Sequence, residues 1–159
     1  MPHRSTRADL PTWAKEMASA TPGIDSTAFE RILEVQHDLV FNPDISAGEI
    51  VTADSDDTLV TGVWSLLPFS RGSVHLRSLN VEDVDRPVIN PRFFSVPFDM
   101  QYFIAVGRLA YNFWAREPVK NIVAGFISPD EKTLPPDATQ EQWESFARTQ
   151  SRSRPIRSV

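Results

Sequence analysis

The side chains most able to do chemistry are few. With no cysteine, the three histidines, His3, His37 and His75, are the first candidates for a metal site or a general base. None stands at i, i+4 from another histidine or beside a second ligand, so the spacing argues against a metal centre. His37 falls in a predicted helix next to Asp38, and His75 on a predicted strand near Arg77, positions that suit surface or satisfied structural histidines. A serine nucleophile would want a Gly-x-Ser-x-Gly elbow, and Ser70-Arg71-Gly72-Ser73 lacks its flanks. The 6 glycines, at positions 23, 48, 62, 72, 107 and 125, never form the Gly-x-Gly-x-x-Gly loop that cradles a dinucleotide. Two acidic groups, Asp54, Asp56 and Asp57, then Glu82, Asp83 and Asp85, lack the glycine and terminal Glu of a calcium loop and read as solvated loops. Among Trp13, Trp64, Trp114 and Trp143, Trp64 stands out. It interrupts an aliphatic strand with a large aromatic, which suits either a pocket wall or the core.

Composition narrows the field further. A chain of 159 residues, 41% hydrophobic and 23% charged, suits one globular domain with a real core. Its net charge of -5 is the wrong sign for neutralising phosphates, so nucleic acid is not the expected partner. No apolar run approaches the roughly 20 residues that span a bilayer. The stretch Met1 to Leu10 is polar where a signal peptide would be apolar, and the absence of cysteine leaves the compartment open.

The elements that must position these residues follow from periodicity and punctuation. A helix is predicted from Asp9, as N-cap, to Ala20, with Pro11 in its first turn and Pro22-Gly23 as its stop. Asp25 or Ser26 caps a second helix to about Leu39, with Phe29, Ile32, Leu33, Val35, Leu39 and Val40 at helical spacing. Residues 42–58 read as a loop holding at most a short strand at Glu49 to Val51. Strands are predicted over Leu59–Leu67 and Ser73–Leu79, joined through Pro68 to Gly72, where glycine suits a positive φ. Val88-Ile89 is a brief extended piece. A long helix from Phe98 to Ala115 carries an apolar stripe of Phe103, Val106, Leu109, Ala110, Phe113 and Trp114, best explained by core packing. Val119 to Ile127 reads as a short strand, and Thr139 with Gln142 forms a capping box for a last helix through Arg148. The expected class is α+β, a mixed or antiparallel sheet with helices packed on one face.

The run Trp64-Ser65-Leu66-Leu67-Pro68-Phe69-Ser70-Arg71-Gly72-Ser73-Val74-His75-Leu76, followed by Pro87 to Phe94, the helix Asp99 to Trp114 and the segment around Trp143, strongly resembles the C-terminal, substrate-side domain of the glucose–methanol–choline oxidoreductases, with the fungal glucose-oxidase-like branch most similar. The resemblance covers residues 24–153, leaving 1–23 as a helical lead-in and 154–159 as a tail of different character. It implies a parent flavoprotein that binds FAD through a separate N-terminal domain and oxidises an alcohol or sugar hydroxyl by hydride transfer to the flavin; parents in this family are often secreted.

The family's catalytic histidine follows the helix that corresponds to Thr139–Arg148, in a His-Pro-x-Gly-Thr-like segment, and this chain has no histidine after His75. Aligning Pro155 on the family's proline puts Arg154 at the catalytic position and Arg157 at the glycine. Arginine does not give up its proton in practice and cannot act as the base. The resemblance therefore implies an incomplete domain with no catalytic, metal or cofactor ligand of its own, inactive alone, with Trp64 as its substrate-facing residue and the FAD-binding domain and a small sugar or alcohol as its partners. The alternative is a stand-alone, non-catalytic binding or regulatory module. Exposure of Trp64, Leu66 or Phe69 would favour the incomplete domain, because bare apolar surface marks a lost partner.

Overall fold

The computed structural model describes residues 2–55, 57–80 and 87–150. The expectations about Asp56, Glu82, Asp83 and Asp85, and about Arg154, Pro155 and Arg157, lie outside these residues. The chain divides into two compact units, one formed by Met1–Glu49 with Ser65–Asp99, the other by Ile50–Trp64 with Met100–Val159. The elements are α1 (Pro2–Ala20), α2 (Ser26–Val40), β1 (Gly48–Ser55), β2 (Thr58–Ser65), β3 (Ser73–His75), β4 (Val88–Asn90), α3 (Pro97–Ala115), a 3₁₀ turn (Val119–Ile122) and α4 (Gln140–Gln150). The class is α+β, as expected, with the described strands grouped in two two-stranded sheets, β1-β2 and β3-β4.

In the first unit α1 packs along α2. Leu10, Trp13, Ala14 and Met17 meet Phe29 and Leu33, and the core is completed by Phe69 and Val96. Each large apolar side chain buried in this way contributes about 1.5–3 kcal/mol. Helix α1 begins seven residues earlier than the predicted Asp9 cap, so Pro11 lies inside it. That costs the bond its missing N–H would have donated to Arg7. The preceding turns are held instead by buried Thr6 and Leu10 and by Arg7, whose Nη1 lies 2.8 Å from Asp38 Oδ1. Gly23, at φ +91°, follows the helix as the predicted stop. Asp25 is the N-cap of α2 and accepts a 2.5 Å bond from the Thr27 amide, which lowers its carboxyl pKa below the usual 3.8.

The predicted apolar side of α2 divides: Phe29 and Leu33 are buried, while Ile32, Val35 and Leu39 are exposed. Strand β3 stops at His75, shorter than predicted, and pairs antiparallel with β4 in the register Ser73↔Asn90, Val74↔Ile89, His75↔Val88. Gly72 does not adopt the expected positive φ. Its role is close approach, because a Cβ there would sit 2.5 Å from the Asn90 carbonyl oxygen and 2.7 Å from that of Pro91.

In the second unit, residues 50–55 form a full strand where only a short one was predicted, since cross-strand pairing supplies what local propensity does not. The hydroxyls of Thr52 and Thr61 meet at 3.0 Å across the hairpin. Asp57 turns it with φ +60°, a left-handed conformation that Asp tolerates, whereas Asp54, expected in a solvated loop, lies in β1. The stripe on α3 is rotated from the predicted one. Met100, Ile104, Val106 and Ala110 are buried, whereas Leu109 and Phe113 are exposed. Gly107 explains the rotation: the Trp143 ring of α4 comes within 3.1 Å of where a Cβ would be. Tyr111 meets that ring edge-on at 6.2 Å and stacks on Phe126 at 4.6 Å. Arg108 lies 5.6 Å from the Trp143 ring centre. The predicted strand over Val119–Ile127 is absent; the segment makes a 3₁₀ turn instead, with Lys120 N donating to Arg116 O at 2.8 Å. The capping box forms as predicted, with Thr139 N donating to Gln142 Oε1 at 2.8 Å and Gln142 N to Thr139 Oγ1 at 3.3 Å.

Candidate functional site

The Pro68–Gly72 turn of the first unit is held by side chains from two helices, α2 and α3. Phe69 is fully buried, 5.5 Å from the Trp13 ring and 5.4 Å, edge-on, from Phe98. Behind it sits Asp99, itself buried and in the first turn of α3. Its Oδ1 accepts from the Phe69 amide at 2.8 Å and its Oδ2 from the Ser70 amide at 2.6 Å. Ser70 Oγ accepts in turn from the Val96 amide at 3.0 Å. Arg71 folds back so that Nη1 donates to the carbonyls of Pro68, Phe69 and Ser70, while its Nη2 donates to Gln36 Oε1, and Gln36 Nε2 donates to the Pro68 carbonyl. Burial pulls the Arg71 pKa down, and the nearby Asp99 charge partly opposes it. Asp99 and Gln36 were not singled out from the sequence. Nothing local to either residue signals a partner some 30 positions away.

Beside this turn runs an open groove of about 320 Å³. It is lined by Ile32, Val35 and Leu39 of α2 and by Leu66, Pro68 and Arg71. The exposed stripe of α2 thus lines a surface depression.

In the second unit Trp64, near the end of β2, is 49% exposed. The benzo end of its indole lies across Gly62, two residues earlier on the same face of the strand. From the opposite face, Thr61 accepts a 2.9 Å bond from the Trp114 indole N–H. Trp64 is therefore a partly solvent-facing ring, not a core residue.

The histidines remain apart. His37 is fully buried, with Nδ1 3.4 Å from Asp38 Oδ1 and its ring 4.7 Å from that of Phe41. The hydrogen bond to His37, then the charge of Arg7, lowers the Asp38 carboxyl pKa. His75 is exposed on β3, and His3 falls within α1. Among the described residues no three acidic or histidine side chains are grouped to hold a metal ion, and no helix is long and apolar enough to cross a membrane.

A family model described as GMC oxidoreductase matches residues 68–154, more than half of the chain and a span that includes both the clasped turn and Asp99. The chain belongs to the GMC oxidoreductase family. A glucose oxidase-like protein, fsoC, of Humicola fuscoatra is 36% identical over 147 residues, 90% of this chain and 24% of that protein. A glucose oxidase of Penicillium chrysogenum is 28% identical over 137 residues, covering 86% and 22%. Glucose oxidase 2 of Penicillium expansum is 31% identical over 108 residues, covering 68% and 18%. The chain thus spans about a quarter or less of the length of these curated relatives. An alignment covering 90% of a GMC oxidoreductase chain this short leaves too few residues at either end to miss its centre, so it runs through Trp64.

Proposed function

We propose that this chain is a substrate-side domain, carried by residues 24–153, of an FAD-dependent oxidoreductase acting on the CH–OH group of a sugar or alcohol, with Trp64 facing the substrate. The observation that carries the reading is family membership together with an exposed Trp64 inside the aligned region. Leu66, 45% exposed, adds to it, while Phe69 is fully buried and adds nothing. Apolar surface left in water favours a domain that docks on a partner over a stand-alone module with a polar exterior.

The described residues do not fit FAD. The successive amides of Phe69 and Ser70 make the kind of nest that binds a phosphate, but the Asp99 carboxylate already fills it. The N-terminal amide of α2 is likewise taken by Asp25. In this reading the cofactor belongs to a partner domain, and this chain supplies the shape and apolar contacts that orient a substrate.

Oxidising an alcohol also requires a base whose pKa lies near the working pH. His37, on α2, is fully buried against Phe41 and Asp38, and no histidine follows His75. In this reading the general base, like the cofactor, comes from outside the described residues, and the chain by itself is expected to be inactive. Purified chain is expected to be colourless and to oxidise neither glucose nor simple alcohols in a dye-reduction assay. A stoichiometric yellow flavoprotein with turnover would overturn the proposal.

A further inference from the structure

Arginine carries five N–H donors on one planar fork, and a chain that draws the group partly out of water has to account for them. Arg71 is half-buried, and its account does not close. The two N–H bonds of Nη1 are shared among the carbonyls of Pro68, Phe69 and Ser70. One N–H of Nη2 goes to Gln36 Oε1, and Gln36 Nε2 donates in turn to the same Pro68 carbonyl that Nη1 reaches. These bonds close a ring on the edge that Nη1 and Nη2 share. The other edge, where Nε–H runs parallel to the second N–H of Nη2, has no acceptor among the described residues. Nor does a carboxylate pair with it: the described ion pairs are those of Arg7 and His37 with Asp38. Asp99 acts on Arg71 through its charge, but both its oxygens are held by the Phe69 and Ser70 amides. Arg71 also lines the groove of about 320 Å³, near the lower end of the ~300–1,000 Å³ usual for small-molecule sites. No acidic side chain lines that groove, its aliphatic residues Ile32, Val35, Leu39 and Leu66 are exposed, and its lining belongs wholly to the first unit.

We propose that this groove binds an aliphatic monocarboxylate, its two oxygens bridging Nε–H and Nη2–H of Arg71 and its hydrocarbon tail lying on Ile32, Val35, Leu39 and Leu66. A planar carboxylate matches two parallel N–H donors, and the resulting bonds are charge-assisted. It also returns a counter-charge to a guanidinium that burial has partly desolvated. A neutral or cationic head group gains neither. Along the tail the groove asks for nothing polar, because the Gln36 amide is engaged at both ends. Trp64 belongs to the other unit and takes no part, so the inference goes beyond the proposed function and is tested separately from it.

The test is an NMR titration of the whole chain with octanoate, kept below its micelle-forming concentration, with octan-1-ol and octylammonium as controls. Octanoate is expected to move the Arg71 Nε–H signal downfield and to shift the Val35 and Leu39 methyl signals along the same binding curve. Octan-1-ol, with the same tail and no charge, should bind about tenfold more weakly or worse, the range of hydrogen bonds to a charged group. Octylammonium should leave Arg71 unmoved. A fully buried methylene is worth about fourfold in affinity, and an open groove covers about half of the tail, so hexanoate should bind about fourfold more weakly than octanoate. Arg71→Lys would also loosen the turn, so the decisive variant is Val35→Glu, at a position 63% exposed on α2. It sets a carboxylate in the groove and is expected to weaken octanoate binding at least about tenfold while leaving the melting temperature close to that of the parent. The proposal is overturned by the absence of any octanoate response, by an Arg71 Nε–H that stays still while the methyls move, by octan-1-ol binding within about twofold of octanoate, or by Val35→Glu binding as the parent does. Groove signals that shift with protein concentration in the absence of octanoate would assign the groove to a second copy of the chain and overturn it as well.

Discussion

Asp99 offers the sharpest test of how the Pro68–Gly72 turn is held. Its two carboxyl oxygens each receive one backbone amide, Phe69 N at 2.8 Å and Ser70 N at 2.6 Å, and the side chain is 4% exposed. Removing the acceptor strands both donors away from water, at about 1–3 kcal/mol for each amide left unpaired. Loss of an acidic group from the first turn of α3 adds about 0.3–1 kcal/mol. Asp99→Ala is therefore expected to destabilise the fold by about 2–7 kcal/mol, a large share of the roughly 5–15 kcal/mol typical of a domain. Asp99→Asn fills nearly the same volume, keeps one oxygen and turns an NH₂ toward the second amide, so it isolates the hydrogen bonds from the cavity. It should cost about 2 kcal/mol, or about 4–8 °C in melting temperature. Urea denaturation read by tryptophan fluorescence gives the free energies, and hydrogen exchange at Phe69 and Ser70 gives the local opening. An Asn variant within about 0.5 kcal/mol of the parent, with unchanged exchange at both amides, would refute the clasp as an energetic feature.

Other substitutions probe separate links. Gly72→Ala should destabilise the β3-β4 pair by about 1–3 kcal/mol and disturb cross-strand NMR contacts between Val74 and Ile89, because its Cβ would meet two backbone carbonyls that cannot step aside. Thr139→Ala should cost about 0.5–2 kcal/mol and speed amide exchange in the first turn of α4. Asp25, Asp38 and Asp130 have lowered pKa values, for Asp130 through the Thr133 hydroxyl and amide. What these carboxylates contribute is fully present above the ordinary value of 3.8 and is lost as pH falls through the depressed folded values, so a ¹³C titration should place all three below 3.8.

Local signals in the sequence carried part of this fold. The Asp25 cap, the Gly23 stop, the Thr139–Gln142 box and the extents of α2 and α3 are each written within a few adjacent residues, and each appears where those residues place it. The failures were nonlocal. Strand β1 is fixed by pairing with β2, and the buried face of α3 by the arrival of Trp143 at Gly107, more than 30 positions away. Helix α1 extends ahead of Pro11 with Thr6 and Leu10 buried and Arg7 reaching Asp38 of α2, partners that no reading of residues 1–20 could supply.

The candidate site divides along the same line. Trp64 was legible because a large aromatic in an aliphatic strand is conspicuous by type, and a family resemblance gave it a role. The residues that shape the Pro68–Gly72 turn in the first unit and the Trp64 strand in the second are conspicuous only by position. Asp99 reads as an ordinary acidic residue at a helix start until the chain brings the Phe69 and Ser70 amides to it. Gln36 reads as a polar position on an amphipathic helix until Arg71 and Pro68 claim both ends of its amide. Gly62 reads as a gap in a strand until the indole two residues on occupies it. In each case the sequence holds a residue whose local preference is weak and whose three-dimensional partner is specific. Substitutions that preserve residue class but break the partner's geometry, such as Asp99→Asn and Gly62→Ala, should therefore separate shape from chemistry more cleanly than replacing Trp64 itself.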